Sequence, residues 1–231
     1  MANKVQGKGK ADESQEQEIN GGEEQAGGLL PFIEENQRMV VLVVGVLLVL
    51  AAGFGGYRYL QSTKDAEAQE EMISAVNYFE ADSLDQALNG GGTFLGFEDI
   101  IGEYSGTPAA NMSRYYAGII YARQGQTDLA IEYLEEVDGG GTLMEMAVYQ
   151  ALGYCYEELQ DWEKAARNFE RAATSPEEGP LTPGLLLKAG ENYEDADDPE
   201  KALELYRKIK EEYPNTQEAN SIDKYIGRIS E

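Results

Sequence analysis

The stretch 149–172, YQALGYCYEELQDWEKAARNFERA, decides the fold. Tyr149, Leu152, Gly153 and Tyr156 recur at helical spacing, and so do Ala165, Phe169 and Ala172 after a polar break, which reads as two short helices joined by a turn. The same pattern stands 35 residues earlier at Gly118, Tyr121, Ala130, Leu134 and Val137. It stands again 37 residues later at Leu186, Ala189, Gly190, Tyr193, Ala202, Tyr206, Ile209 and Pro214, with the difference falling in an insertion around Ser175–Gly184. Self-similarity at such a period marks stacked supersecondary units. Small residues at Gly118, Gly153 and Gly190 in each first helix, and at Ala130, Ala165 and Ala202 in each second, let the paired helices approach closely. No unit covers its own apolar face, so stacking of neighbours has to build the core. Asp128, Asp161 and Asp198 are the expected helix starts, and Pro199 suits a first turn.

Upstream, Ala75, Tyr78 and Ala87 keep the spacing in a degenerate unit, and downstream Ile222, Tyr225, Ile226 and Ile229 form an apolar stripe on a last helix. Terminal units of such arrays are commonly atypical. The triplets Gly90–Gly92 and Gly139–Gly141 read as breaks between helices, because each glycine disfavours helix by roughly 1 kcal/mol relative to alanine. They do not read as phosphate loops, whose cradle wants a neighbouring lysine, since the charges nearby are Glu98, Asp99, Asp138 and Glu145.

Between Arg38 and Arg58 runs MVVLVVGVLLVLAAGFGGY, without a charge from Met39 onward. This is close to the length that crosses a bilayer and is apolar on every face, so a transmembrane helix is expected. A cleaved signal segment, with Ala51-Ala52-Gly53 as its site, fits less well, because a leader of 38 residues rich in glutamate precedes the run. Arg38 on one side and Arg58 and Lys64 on the other leave the orientation undecided by charge. Ala51 with Gly55, and Ala52 with Gly56, are small residues four apart that suit packing between membrane helices. From Tyr57 to Asn89 neither glycine nor proline interrupts the chain, so the span is expected to run on into the first soluble helix.

Carboxylates outnumber basic groups 43 to 18, a formal charge of -25. Such a surface repels nucleic acid, which needs lysine and arginine to replace its counterions. Two readings of the acidity stand, a high-salt habitat and a taste for basic ligands. There is no histidine, the commonest general base and metal ligand, and Cys155 is the one cysteine. Its neighbours Glu157 and Glu158 would hold a thiol protonated, so it reads as inert packing. Pairs such as Glu157 with Glu158 and Asp197 with Asp198 are ordinary on an acidic helix surface. Neither a catalytic residue nor a metal or other cofactor is expected.

At these residues the chain resembles the tetratricopeptide repeat, which implies an all-α, right-handed solenoid preceded by one transmembrane helix. The implied layout is a disordered acidic tail over 1–30, the transmembrane helix and flank over 31–58, and a stalk helix with a degenerate first repeat over 59–110. Three repeats over 111–214 and a capping helix over 215–231 follow. The leader, the span, and the stretch FLGFEDIIGEYSGTPAA (94–110) followed by SRYYAGIIYARQG (113–125) are similar to membrane-anchored tetratricopeptide proteins of Bacteroidota and, in layout, to the YfgM family, an ancillary subunit of the SecYEG translocon. That resemblance implies a bacterial inner-membrane protein with a cytoplasmic N-terminus and a periplasmic solenoid that meets translocon subunits and chaperones. An envelope scaffold for cell-wall or outer-membrane assembly, or a cytosolic co-chaperone with the opposite topology, are the alternatives. The repeat register implies a protein-binding groove of Tyr115, Ile119 and Arg123, then Gln150, Tyr154 and Glu158, then Leu187, Glu191 and Asp195. A clamp for a C-terminal carboxylate would need several lysines and asparagines there, and Lys188 and Asn192 alone approach one.

Overall fold

A computed structural model of the chain describes residues 36–175 and 179–229. The expected tail over 1–30 lies outside the described residues. Among the described residues ten helices follow one another: α1 (Gln37–Glu80), α2 (Leu84–Asn89), α3 (Phe97–Glu103), α4 (Pro108–Arg123), α5 (Thr127–Glu135), α6 (Leu143–Glu158), α7 (Trp162–Thr174), α8 (Thr182–Asp195), α9 (Pro199–Glu212) and α10 (Gln217–Ile229). No strand occurs among the described residues, and an isolated bridge pairs Gly91 with Phe94.

Two units divide the chain, Met1–Leu60 and Gln61–Glu231. In the first, the described part is the apolar end of α1, a helix long and apolar enough to cross a membrane, with Leu42, Leu47, Val49 and Phe54 exposed. In the second, helices pair in sequence order, α4 with α5, α6 with α7 and α8 with α9, and α10 covers the far end of the array.

The pairing is fixed by contacts between a glycine and a large side chain. A Cβ added at Gly118 would stand 2.7 Å from Cγ of Leu134, one at Gly153 would stand 2.8 Å from Cε1 of Phe169, and one at Gly190 would run into Cε1 of Tyr206. Ala130, Ala165 and Ala202 are fully buried opposite them. Three apolar clusters result. Ala68, Ala75, Phe97, Ile100 and Ala117 build the first, Ala130, Leu134, Val148 and Leu152 the second, and Phe169, Leu186, Tyr193, Tyr206 and Ile222 lie in the third. Each large side chain so buried contributes about 1.5–3 kcal/mol.

Polar bonds of one kind join successive units. The hydroxyl of Tyr121 donates to Glu98 at 2.7 Å, that of Tyr156 to Glu135 at 3.1 Å, and that of Tyr193 to Glu170 at 3.0 Å. In every case a first-helix tyrosine reaches back to a glutamate of the preceding unit. Burial, and after it the bonded carboxylate, raises all three hydroxyls above their ordinary value. At the start of the array Asp65 of α1 accepts from the amide of Ala109 at 2.9 Å, a carboxylate placed on the positive end of α4.

Two features differ from the sequence expectation. Asp161 and Asp198 cap α7 and α9, accepting from the amides of Lys164 and Lys201, but Asp128 does not cap α5. That helix begins after Gln126, and Asp128 sits inside its first turn, where its charge still suits the helix dipole. The reason is the shared turn. Gly125, Gln160 and Asp197 all take positive φ, of 73°, 56° and 60°, and the residue after each becomes the cap position. The other feature is α3, a helix of seven residues between Gly96 and Tyr104 that the glycine-rich sequence conceals and that supplies Glu98.

Gly153→Ala and Gly190→Ala should each destabilise the array by about 1–3 kcal/mol in urea unfolding, because neither ring can retreat within the core. Gly227→Ala, where a Cβ meets nothing within 4 Å, should be neutral or stabilising by up to about 1 kcal/mol. A second outcome concerns pH. Unfolded tyrosines lose their proton near pH ~10 while the buried ones keep it, so stability should hold below that pH and fall as pH rises above it. Circular dichroism melts from pH 9 to 12 check the slope, which Tyr193→Phe should reduce.

Candidate functional site

The first helices of the pairs, α4, α6 and α8, carry the nine groove positions that the register implies, and the structure treats them unequally. Ile119, Arg123, Tyr154 and Glu158 come together around one cleft of about 530 Å³ between α4 and α6. Ala122, Gly125, Thr127, Ala151 and Cys155 complete its lining, and the register did not point to these five. Tyr154 is the apolar feature of this cleft most open to solvent, 47% exposed. Its ring meets Phe169 edge-on at 5.0 Å, which holds it upright at the mouth. Arg123 lies 4.7 Å from the Phe79 ring centre and 3.7 Å from Asp82, so its charge is partly spent within the chain. Glu158 is exposed.

The other five positions stand elsewhere. Tyr115 is half-buried against the second apolar cluster, and its hydroxyl is raised by burial and by Tyr116. Leu187 packs partly into the third cluster. Gln150 is half-buried. Glu191 raises the hydroxyl of Tyr225 on α10, after burial, and Asp195 is exposed at the end of α8. The polarity therefore grades along the first helices, from aromatic and aliphatic at α4 and α6 to acidic at the ends of α6 and α8.

The two residues nearest to a carboxylate clamp already hold a carboxylate of their own chain. Glu157 Oε1 accepts from Asn192 Nδ2 at 2.6 Å and from Lys188 Nζ at 3.3 Å, and Asn192 is 1% exposed. Lys188 also stands 5.6 Å from the Tyr154 ring centre. This internal pairing takes the place that a ligand carboxylate would need.

Cys155 lies at the base of the cleft, buried, and burial pushes its thiol up to about 11. No cluster of metal-ligating side chains occurs among the described residues. On α1, Ala51, Ala52, Gly55 and Gly56 are all exposed, and apart from the adjoining residues and nearby backbone of α1 itself no described atom lies within 4 Å of a Cβ built on Gly55 or Gly56.

Three stretches match tetratricopeptide-repeat family models, residues 112–137 and 185–216 to one and 148–181 to another. No curated protein sequence matches the chain. Among solved structures, the chain is similar to a repeat protein of Podosopora anserina, a kinesin light chain candidate with nearly identical TPR-like repeats, at TM-score 0.55 and 15% identity over 71% of this chain and 86% of that one. The Q17M form of the same protein gives TM-score 0.52 and 14% identity over 71% and 85%. At such identity the likeness concerns the fold, which is an all-α solenoid of tetratricopeptide type. Repeats of this kind indicate a protein-interaction role.

In the folded chain Cys155 should react with Ellman's reagent at pH 8 at least about tenfold more slowly than in urea, because few thiolates exist at that pH and the sulfur is covered. Absorbance at the thionitrobenzoate band measures both rates.

Proposed function

We propose that the chain is a membrane-anchored adaptor whose first-helix groove takes an extended polypeptide carrying both apolar and basic side chains. One observation carries this reading. The cleft between α4 and α6 offers an exposed ring at Tyr154 beside Ile119, and carboxylates at Glu158, Glu191 and Asp195 continue along the same helices. Apolar contact at the ring holds the ligand, while exposed charge pairs, at ~0–1 kcal/mol each, chiefly steer it. Tyr154 takes the anchoring part that the register alone gives to Tyr115, whose ring is partly committed to the core.

The apolar end of α1 anchors the chain in a bilayer, and Ala51, Ala52, Gly55 and Gly56 form its packing stripe for another membrane helix. Following the resemblance in layout to the translocon-associated family, the N-terminus is cytoplasmic in a bacterial inner membrane and the solenoid is periplasmic. Its partners are translocon subunits, chaperones and the chains they handle. The acidic surface is consistent with ligands of basic character.

A reporter active only in the periplasm should work when fused after Glu231, and activity of a cytoplasm-only reporter there would instead support a cytosolic co-chaperone. Co-purification in mild detergent should bring down translocon subunits, and recovery of wall or outer-membrane machinery without them would make the chain an envelope scaffold. With a partner in hand, replacing Glu158, Glu191 and Asp195 by their amides should slow association and flatten its salt dependence, whereas Tyr154→Ala should mainly speed dissociation. Unchanged rates in both variants would move the interface to another face.

A further inference from the structure

Between Arg123 and Lys188 the chain has three basic residues, Lys164, Arg167 and Arg171, and all three are on α7. All three line one cavity of about 1050 Å³ between α5 and α7, on a different side of α6 from the cleft at Tyr154 and sharing no residue with it. The cavity exists because α5 is short. It has nine residues where α7 has 13 and α9 has 14, and the chain returns to α6 through Gly139–Gly141 instead of completing the helix. What the missing turn leaves open is a recess beside Val137, Val148 and Tyr149.

One wall of this cavity is a ladder of cations on rings. Lys164 Nζ stands 5.0 Å from the Tyr156 ring centre, and the Arg171 guanidinium stands 4.9 Å from that of Tyr149. The tyrosines are seven residues apart on α6 and the cations seven apart on α7, so two antiparallel helices make two matched rungs.

The carboxylates of the cavity are for the most part engaged. Glu135 accepts from the Tyr156 hydroxyl, Asp161 caps α7 and pairs with Lys164 at 2.8 Å, and Glu163 pairs with Arg167. Glu145 also lines the cavity, on the first turn of α6, with its Cβ against Gly139. Arg171 is exposed and forms no ion pair with another described residue. A guanidinium laid on a ring keeps its in-plane N–H donors, which match a carboxylate two at a time.

We propose that this cavity is a second protein-binding site, for a partner segment that sets a carboxylate on Arg171 and an apolar side chain into the recess at Val137, Val148 and Tyr149. Its charge preference is opposite to that of the cleft at Tyr154. The two sites therefore take different partners, and the chain can hold both at once. This reading stands on cavity geometry and pairing at α7 and does not depend on what fills the other cleft.

Full-length protein in detergent micelles, panned against a randomised library of short peptides, tests it alongside Arg171→Glu and Tyr154→Ala. The expected result is a set of peptides retained by the wild type and by Tyr154→Ala, lost on Arg171→Glu, and enriched in Asp or Glu next to Leu, Ile or Val. A member of that set should bind Arg171→Ala about tenfold more weakly, with Arg171→Lys in between, since lysine keeps the charge without the fork. Arg171→Gln, matched to the wild type by its melting curve, supplies the comparison if charge reversal disturbs folding, and it should lose the same peptides. Overturning results are that no peptide distinguishes Arg171→Glu or Arg171→Gln from wild type, that those distinguished lack carboxylates, or that inorganic phosphate or anionic lipid vesicles displace them as well as free peptide does.

Discussion

The contact between a glycine of one helix and a large side chain of the next is the constraint on which the array rests. Gly118 under Leu134, Gly153 under Phe169 and Gly190 under Tyr206 seat a large side chain where a Cβ would otherwise stand. That seating sets the tilt of each pair and so determines which residues face the next unit. The fully buried alanines opposite serve the same end from the other helix. Dispersion and area burial supply the energy, but without the notch in the first helix the large side chain would have no single place to sit.

Because every unit repeats this geometry, the polar bonds repeat too. A first-helix tyrosine buries its ring and has to satisfy its hydroxyl, and a glutamate on the preceding unit is the partner within reach. Part of the acidity of the chain is thus structural. Glu98, Glu135 and Glu170 are acceptors at the joints between units, and Glu157 and Glu194 hold Asn192, Lys188, Tyr206 and Arg228 in the last ones. Composition alone offered habitat or ligand choice as explanations, and neither anticipates this use.

The sequence made the period, the notches and the apolar end of α1 legible because each depends on residue type at fixed spacing. It did not reveal α3, whose seven residues are flanked by Gly96 and contain Gly102, nor that Asp128 lies past the cap position, since the left-handed residue of the turn moves the helix start. For the groove, register identified the face of each first helix but not how far neighbours cover it. Leu187 and Tyr115 sink partly into apolar clusters, while Tyr154 stays open. The cation row on α7 was readable as a spacing of three and four, but the cavity in front of it arises from a helix elsewhere that stops early.

The tyrosine–glutamate joints have a further meaning for how such an array can change length. One donor and one acceptor recur at each joint, from Tyr121 to Tyr156 to Tyr193 and from Glu98 to Glu135 to Glu170. A duplication or deletion of one whole unit would carry one donor and one acceptor with it and leave every joint closed. A cut out of phase would leave a hydroxyl at the joint without its acceptor, at a cost of up to about 1–3 kcal/mol where that hydroxyl is shielded from water. The bond pattern therefore acts as a reading frame for the fold, tolerating growth in whole repeats and penalising any other kind.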